Sequence, residues 1–285
     1  MTSERLPDPP VELPEGRLVH VPGLGELFVR DTGGSGTPVL LLHGWMFPSD
    51  LNWWRCYKPL ADAGYRVLAV DARGHGRGLR ASEAFTLAGC AADAAALVRE
   101  LGCGPVIAVG YSMGGPVAAL MARDHPHTVA ALVECATARE WKDPRMRALW
   151  SGMGGLRLFL NVFPRQSWRW MLRWGGFPDS PTTSWVAAEL SRGSARDIAE
   201  AGRELGRFDS RTWVRQLDLP AAVVVTTRDS AVPPRKQYEL AESLRAPTFE
   251  IACDHSGVTV KGEEFAAVLL QALASVSKRA AAAAA

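Results

Sequence analysis

The run Val106-Ile107-Ala108-Val109-Gly110-Tyr111-Ser112-Met113-Gly114-Gly115 constrains this chain more than any other stretch. An apolar, β-branched segment of strand length breaks into glycines around one serine, and residues 116–123 then read as a helix. A strand that turns sharply into a helix about a serine lifts the hydroxyl clear of the sheet edge, and only small neighbours leave room for such a turn. Ser112 is therefore the candidate nucleophile. As five letters, Gly110-Tyr111-Ser112-Met113-Gly114 is common by chance; the strand before it and the helix after it give it weight.

The flanking sequence repeats this alternation. Pro38-Val39-Leu40-Leu41-Leu42 and Arg66-Val67-Leu68-Ala69-Val70 are continuous apolar runs of the kind buried on both faces of a parallel sheet. Residues 51–63 read as a helix between them, residues 85–101 as a helix leading to the serine strand, and residues 128–135 as the next strand. Short alternating segments at 17–21 and 26–30, separated by Pro22-Gly23-Leu24-Gly25, predict an antiparallel hairpin at one edge. Strands alternating with helices imply an α/β architecture with right-handed crossovers. From residue 138 to about 212 the alternation stops; strands resume at residues 220–227, followed by a helix after Pro233-Pro234, a strand near 248–253 and an amphipathic segment at 265–276. The expected organisation is a proline-rich extended arm over 1–16, one core built from 17–137 and 213–279, a helical cap over 138–212 inserted into it, and a closing alanine tail or frayed helix end over 280–285.

A serine hydroxyl is a weak nucleophile at neutral pH; it needs a base within hydrogen-bond reach and an acid that orients the base. Asp229 follows the strand at 220–227, and His255 follows the later one, in Cys253-Asp254-His255-Ser256-Gly257. Each falls on a loop at the carboxyl end of a strand, where parallel sheets gather reactive groups. Glu134, at the end of the strand after the serine helix, competes with Asp229 for the acid's role, whereas Asp254 adjoins His255 and is expected to point elsewhere. Acyl transfer also puts negative charge on a carbonyl oxygen, which calls for two preorganised N–H donors. The Met113 amide, directly after the serine at a helix start, is one candidate, and the Trp45 amide, after His43-Gly44, is the other.

Together, His43-Gly44-Trp45, Asp71-Ala72-Arg73-Gly74-His75-Gly76, Gly110-Tyr111-Ser112-Met113-Gly114-Gly115, Asp229 and His255 resemble the α/β-hydrolase superfamily over about residues 17–278. The Ser-Met-Gly-Gly form is similar to carboxylesterases and monoacylglycerol lipases. This implies an α/β-hydrolase fold, an ester substrate with an apolar acyl or alcohol portion, and no metal or organic cofactor. Lactonases, thioesterases, perhydrolases, carbon–carbon bond hydrolases and acyltransferases share the elbow, and a member that binds ligands without turnover is the reading from another class. The resemblance implies aspartate at position 112 in epoxide hydrolases and haloalkane dehalogenases, against which Ser112 argues. Where the family often continues Gly-His-Gly with a further residue and a serine, this chain has Arg77-Gly78-Leu79-Arg80, so residues 71–76 are taken as a structural loop.

Composition narrows the rest. A net charge of +2 gives no footing for nucleic acid, and the 27 arginines against 5 lysines are spread along the chain. The five cysteines show neither metal-ligand nor paired spacing and read as small buried hydrophobes. The start lacks an apolar stretch of secretory type, which places the protein in the cytoplasm as an expectation. Seven of the ten tryptophans fall between residues 141 and 213, so the cap is expected to be apolar inside, with Trp141, Trp168, Met171 and the elbow's Tyr111 as pocket candidates. If residues 165–174 are helical, Arg165, Arg169 and Arg173 share one face and Trp168, Met171 and Leu172 another. The aromatics are read as packed down and the arginines as solvated, with weak contact to a lipid interface or to an anionic substrate as the alternative.

Overall fold

The computed structural model describes residues 7–162, 164–174 and 177–284, leaving aside the side chains of residues 145, 164, 165 and 281–284. Eight strands form one sheet: β1 (Gly16–Val21), β2 (Gly25–Asp31), β3 (Pro38–Leu42), β4 (Arg66–Val70), β5 (Val106–Tyr111), β6 (Val129–Cys135), β7 (Ala221–Thr226) and β8 (Thr248–Ile251). Their spatial order is β1-β2-β4-β3-β5-β6-β7-β8. The hairpin β1–β2 joins β4 antiparallel, and β3 to β8 run parallel to one another.

The continuous apolar strands are covered on both faces because alternate side chains point to opposite sides. Leu40, Leu42, Leu68 and Val70 face one layer, with α3 (Leu87–Glu100), α4 (Gly114–Asp124) and α10 (Pro234–Leu244). Val39, Leu41, Val67 and Ala69 face the other, with α2 (Tyr57–Asp62) and α12 (Gly262–Ala284), whose Phe265, Leu269, Leu273 and Val276 are wholly buried. The helix expected over 51–63 is instead two short ones, α1 (Ser49–Trp53) and α2, because the chain turns at Trp54–Cys56 with Cys56 N–H donating to the Trp53 carbonyl. A short α11 (Gly257–Val260) precedes α12. The helix expected over 85–101 starts at Leu87, where the Thr86 hydroxyl accepts from Gly89 N–H as an N-cap.

Between β6 and β7 the chain runs through α5 (Pro144–Ser151), α6 (Met153–Val162), α7 (Pro164–Trp174), α8 (Pro181–Leu190) and α9 (Ala195–Arg207). This insertion rests on the loops that follow β3 and β4. The Trp45 indole N–H donates to the Ile198 carbonyl (2.8 Å), Ser194 N–H to the Gly74 carbonyl (2.7 Å), and Trp45 meets Trp150 edge-on at 5.3 Å. Among the described residues no helix is long and apolar enough to cross a membrane.

Candidate active site

The turn between β5 and α4 holds Ser112 at φ +52°, the left-handed region that a non-glycine residue adopts only where its surroundings enforce it. The enforcement is visible. Ser112 N–H donates to the Cys135 carbonyl (2.9 Å), while the Ser112 carbonyl accepts from the Thr137 hydroxyl (2.8 Å) and Gly115 N–H (3.0 Å). A Cβ at Gly110 would collide with the Gly114 carbonyl, and one at Gly114 with the carbonyl of Leu42. The glycines are thus required by close backbone approach.

His255, on the loop after β8, faces Ser112: its Nε2 lies 2.9 Å from Ser112 Oγ, and its Nδ1 lies 2.8 Å from Asp229 Oδ2. A carboxylate only accepts, so Nδ1 carries the hydrogen and Nε2 is left to accept from the serine hydroxyl. Asp229, 5% exposed on the loop after β7, is held from several sides. Its Oδ1 accepts from Ala231 N–H (2.9 Å) and Val232 N–H (2.7 Å), and its Oδ2 accepts from the Thr226 hydroxyl (2.7 Å) and Gln237 Nε2 (3.3 Å). The histidine loop is fixed in turn. Tyr111 donates its hydroxyl to the His255 carbonyl (2.5 Å), and Asp254 Oδ1 accepts from His255 N–H (2.7 Å) and Ser230 N–H (2.8 Å).

Glu134 stands elsewhere. It is 1% exposed behind the elbow, where its Oε2 would meet a Cβ at Gly115, and that oxygen has no hydrogen-bond partner among the described residues. Burial pushes its pKa well above the usual carboxylate value. The imidazole's Nδ1 is paired with Asp229 instead.

The loop after β3 passes beside Ser112: a Cβ at Gly44 would lie 3.4 Å from Ser112 Cβ, and Gly44 N–H is turned aside to Asn52 Oδ1 (2.9 Å). Among the described residues, the amides of Met113 and Trp45 donate to no protein acceptor. His43, 2% exposed, braces this loop by accepting from Ala72 N–H at Nε2 (2.9 Å) and pairing Nδ1 with the Gly44 carbonyl (2.8 Å), a pattern only the neutral ring satisfies. Burial lowers the pKa of His43 and takes His75, whose ring lies tilted 5.2 Å away, down to about 3. Asp71 accepts from the N–H and hydroxyl of Ser49 and from Arg77 N–H, which ties the 71–76 loop to α1.

The four pocket candidates are dispersed. Tyr111, 3% exposed, packs against His255, Trp53 and Phe265 beneath the histidine loop. The Trp141 carbonyl accepts from the Trp150 indole, in the core layer that contains α5. Trp168 and the half-buried Met171 pack with Leu51, Trp54 and Trp185. Asn52, Thr226 and Gln237, which shape the site from behind, carry no signal in the sequence, because each acts through side-chain hydrogen bonds between loops and element ends that leave no periodicity. Among the described residues no cluster of ligating side chains could hold a metal ion. Burial raises the thiol of Cys56 to about 12 and that of Cys253 to about 11, so neither is a thiolate near neutrality.

A family model described as the alpha/beta hydrolase fold matches residues 37–258. The chain belongs to that family. Among curated proteins, a non-heme haloperoxidase from Rhodococcus erythropolis is 43% identical over 109 residues, 38% of this chain and 39% of that protein. The chain thus spans about two fifths of that relative's length. Among solved alpha/beta hydrolase structures, a thermophilic esterase from Thermogutta terrifontis superposes with a TM-score of 0.75 at 23% identity, covering 92% of this chain and 99% of that one. An enol-lactonase from Burkholderia xenovorans superposes at 0.74 and 22%, covering 90% and 100%. At such identities the likeness speaks for the fold.

Proposed function

We propose that this alpha/beta hydrolase cleaves carboxylic esters with an apolar acyl or alcohol portion through a serine acyl-enzyme. The observation that carries the reading is the unbroken chain of contacts Ser112 Oγ, His255 and Asp229 at a strained elbow. His255 Nε2 takes the Ser112 proton as Oγ attacks the ester carbonyl. The amides of Met113 and Trp45 receive the oxyanion, each worth on the order of a hundredfold or more in rate. The tetrahedral intermediate then expels the alcohol, to which His255 returns the proton. Water, deprotonated by the same nitrogen, attacks the acyl carbon, and the second intermediate releases the acid and restores the serine. Asp229 keeps the imidazole in the required tautomer and stabilises its protonated form.

The apolar part of the substrate is argued from the insertion, where Trp150 and Met153 lie beside Trp45 and Gly202 over the oxyanion loop. The named esterase and enol-lactonase neighbours are both consistent with serine attack on an acyl carbon. The test is single-turnover reaction with p-nitrophenyl butyrate and labelling by a fluorophosphonate, beside Ser112→Ala. Both signals are expected to vanish in the variant, ester cleavage falling on the order of 10⁶-fold. A folded wild type that takes no label would sink the assigned nucleophile. A parallel panel of lactones sorts ester from lactone preference.

A further inference from the structure

The helices α6 and α7 are apolar on two sides. Inward, Met153 and Leu160 of α6 and Trp168 and Leu172 of α7 are buried. Outward, Leu158, Phe159 and Val162 of α6 and Trp170 and Trp174 of α7 are exposed, joined by Phe177 just beyond. Trp174 is 82% exposed and Trp170 58%, which together present on the order of 300 Å² of aromatic surface at 150–250 Å² per such side chain. These rings are organised. Trp170 and Trp174 stack at 5.9 Å with planes 11° apart, and Phe159 meets Trp170 edge-on at 6.2 Å. A contiguous exposed patch of this kind marks a contact surface, because an apolar face left in water gains nothing for the fold.

The charge around the patch indicates what it meets. From residue 144 to residue 178 the sequence has six arginines and no acidic residue. Of these, Arg157, Arg169 and Arg173 are exposed on the two helices; Asp179 lies 2.9 Å from Arg173 and 3.8 Å from Arg169, and Glu200 of α9 feels the charge of Arg157. Two copies joined through this face about a two-fold axis would set arginines against arginines. An anionic lipid surface satisfies both components: indole rings settle at headgroup depth, Leu158 and Val162 enter the acyl region, and guanidinium groups pair with phosphates.

We propose that the outer face of α6 and α7 docks the protein reversibly on an anionic lipid surface. The proposal is independent of the chemistry assigned to Ser112. It is tested by flotation of the purified full-length protein with vesicles of phosphatidylcholine, alone or mixed with phosphatidylglycerol. The wild type is expected to float with the mixed vesicles, and added salt to weaken that binding. Trp170→Ser with Trp174→Ser should lower the partition coefficient at least about tenfold. Arg169→Gln with Arg173→Gln should lower it roughly tenfold on mixed vesicles and leave the phosphatidylcholine control unchanged. Thermal melts establish that each variant is folded. Wild-type protein that stays at the bottom of the gradient, or a tryptophan variant that floats as well as the wild type, overturns the proposal. So does a dimer in sedimentation velocity that the tryptophan substitutions dissociate while flotation is absent, since the face would then pair with itself.

Discussion

The two ends of the helical insertion are attached to the core by different means. The α8–α9 end is fastened by polar contacts that each have a defined direction. Arg77 reaches Glu189 (2.9 Å), Arg80 the Arg192 carbonyl (2.6 Å), and Glu200 accepts from Phe85 N–H (2.9 Å), besides the Trp45 and Ser194 bonds above. The α6–α7 pair packs against α9 through Met153 and against α1 and α8 through Leu160, Trp168 and Leu172, and among the described residues its hydrogen bonds stay within the segment 152–179. Directional bonds fix register and orientation; apolar packing fixes proximity and leaves sliding cheap. The α8–α9 part is therefore fixed in direction as well as in place, while the part that carries the exposed tryptophans is held by apolar contact.

The sharpest way to break this contrast is through its ion pairs. Arg77 links the buried Asp50 and Glu189, 1% and 3% exposed, and Arg30 grips Asp50 from the other side. Arg77→Met takes one partner from each of two buried carboxylates, leaving Asp50 with Arg30 and Glu189 with Arg192, and should cost about 1.5–3 kcal/mol in urea unfolding. Arg169→Met, which removes a 3.8 Å pair with the exposed Asp179, should cost less than about 1 kcal/mol. Equal costs would erase the distinction between the two ends.

Acid titration gives a smaller, graded effect. His75 ionises near 3 in the fold but near 6.5 in the unfolded chain, which then binds more protons between those values. Stability must fall as the pH drops from 6.5 towards 3, by up to about 1.4 kcal/mol per pH unit from this group, and His43 adds to the slope. Glu134 works in the opposite sense. Its raised pKa keeps a proton that the unfolded chain releases above about 4.5, so its contribution is lost as the pH rises. Glu134→Gln should therefore raise the melting temperature relative to wild type by a few degrees at pH 8 and by less at pH 5. An identical offset at both values would mean that the carboxyl ionises normally. All three groups lie in the core beneath the insertion; α6 and α7 have arginine as their only ionisable residue and add no such slope.

The smallest expected effect is at the outer face. Trp170→Ser with Trp174→Ser should leave cleavage of a water-soluble ester within about twofold and stability within about 0.5 kcal/mol, as exposed substitutions do. A large loss would show that the stacked indoles support the site after all.

Much of the core was legible from residue order. The strand-glycine-serine run, the later loops with Asp229 and His255, and the buried strands β3 and β4 each rest on local pattern, and the sheet places them as that pattern implies. The break at Trp54–Cys56 was not, because residues 51–63 keep an apolar content that suits one helix, while the turn between α1 and α2 is set by packing around Trp53 and Cys56 in the second layer. The separation of Tyr111, Trp141, Trp168 and Met171 was equally hidden. A tryptophan count records how much apolar surface must be covered, without saying which cluster covers it. The outer tryptophans are the clearest instance: Trp168 and Trp170 are two residues apart on one helix, with 4% and 58% exposure.

The left-handed turn at residue 112 limits which reactive groups this chain can acquire at that place. A β-branched side chain crowds its own backbone in that conformation, so threonine is shut out, whereas glycine, asparagine and aspartate enter it at the least cost. An oxygen borne on a carboxylate can therefore replace one borne on a hydroxyl while the surrounding strand, helix and histidine loop stay where they are. The fold acts here as a socket: the group at residue 112 is exchangeable by a single substitution, and its place beside His255 is not.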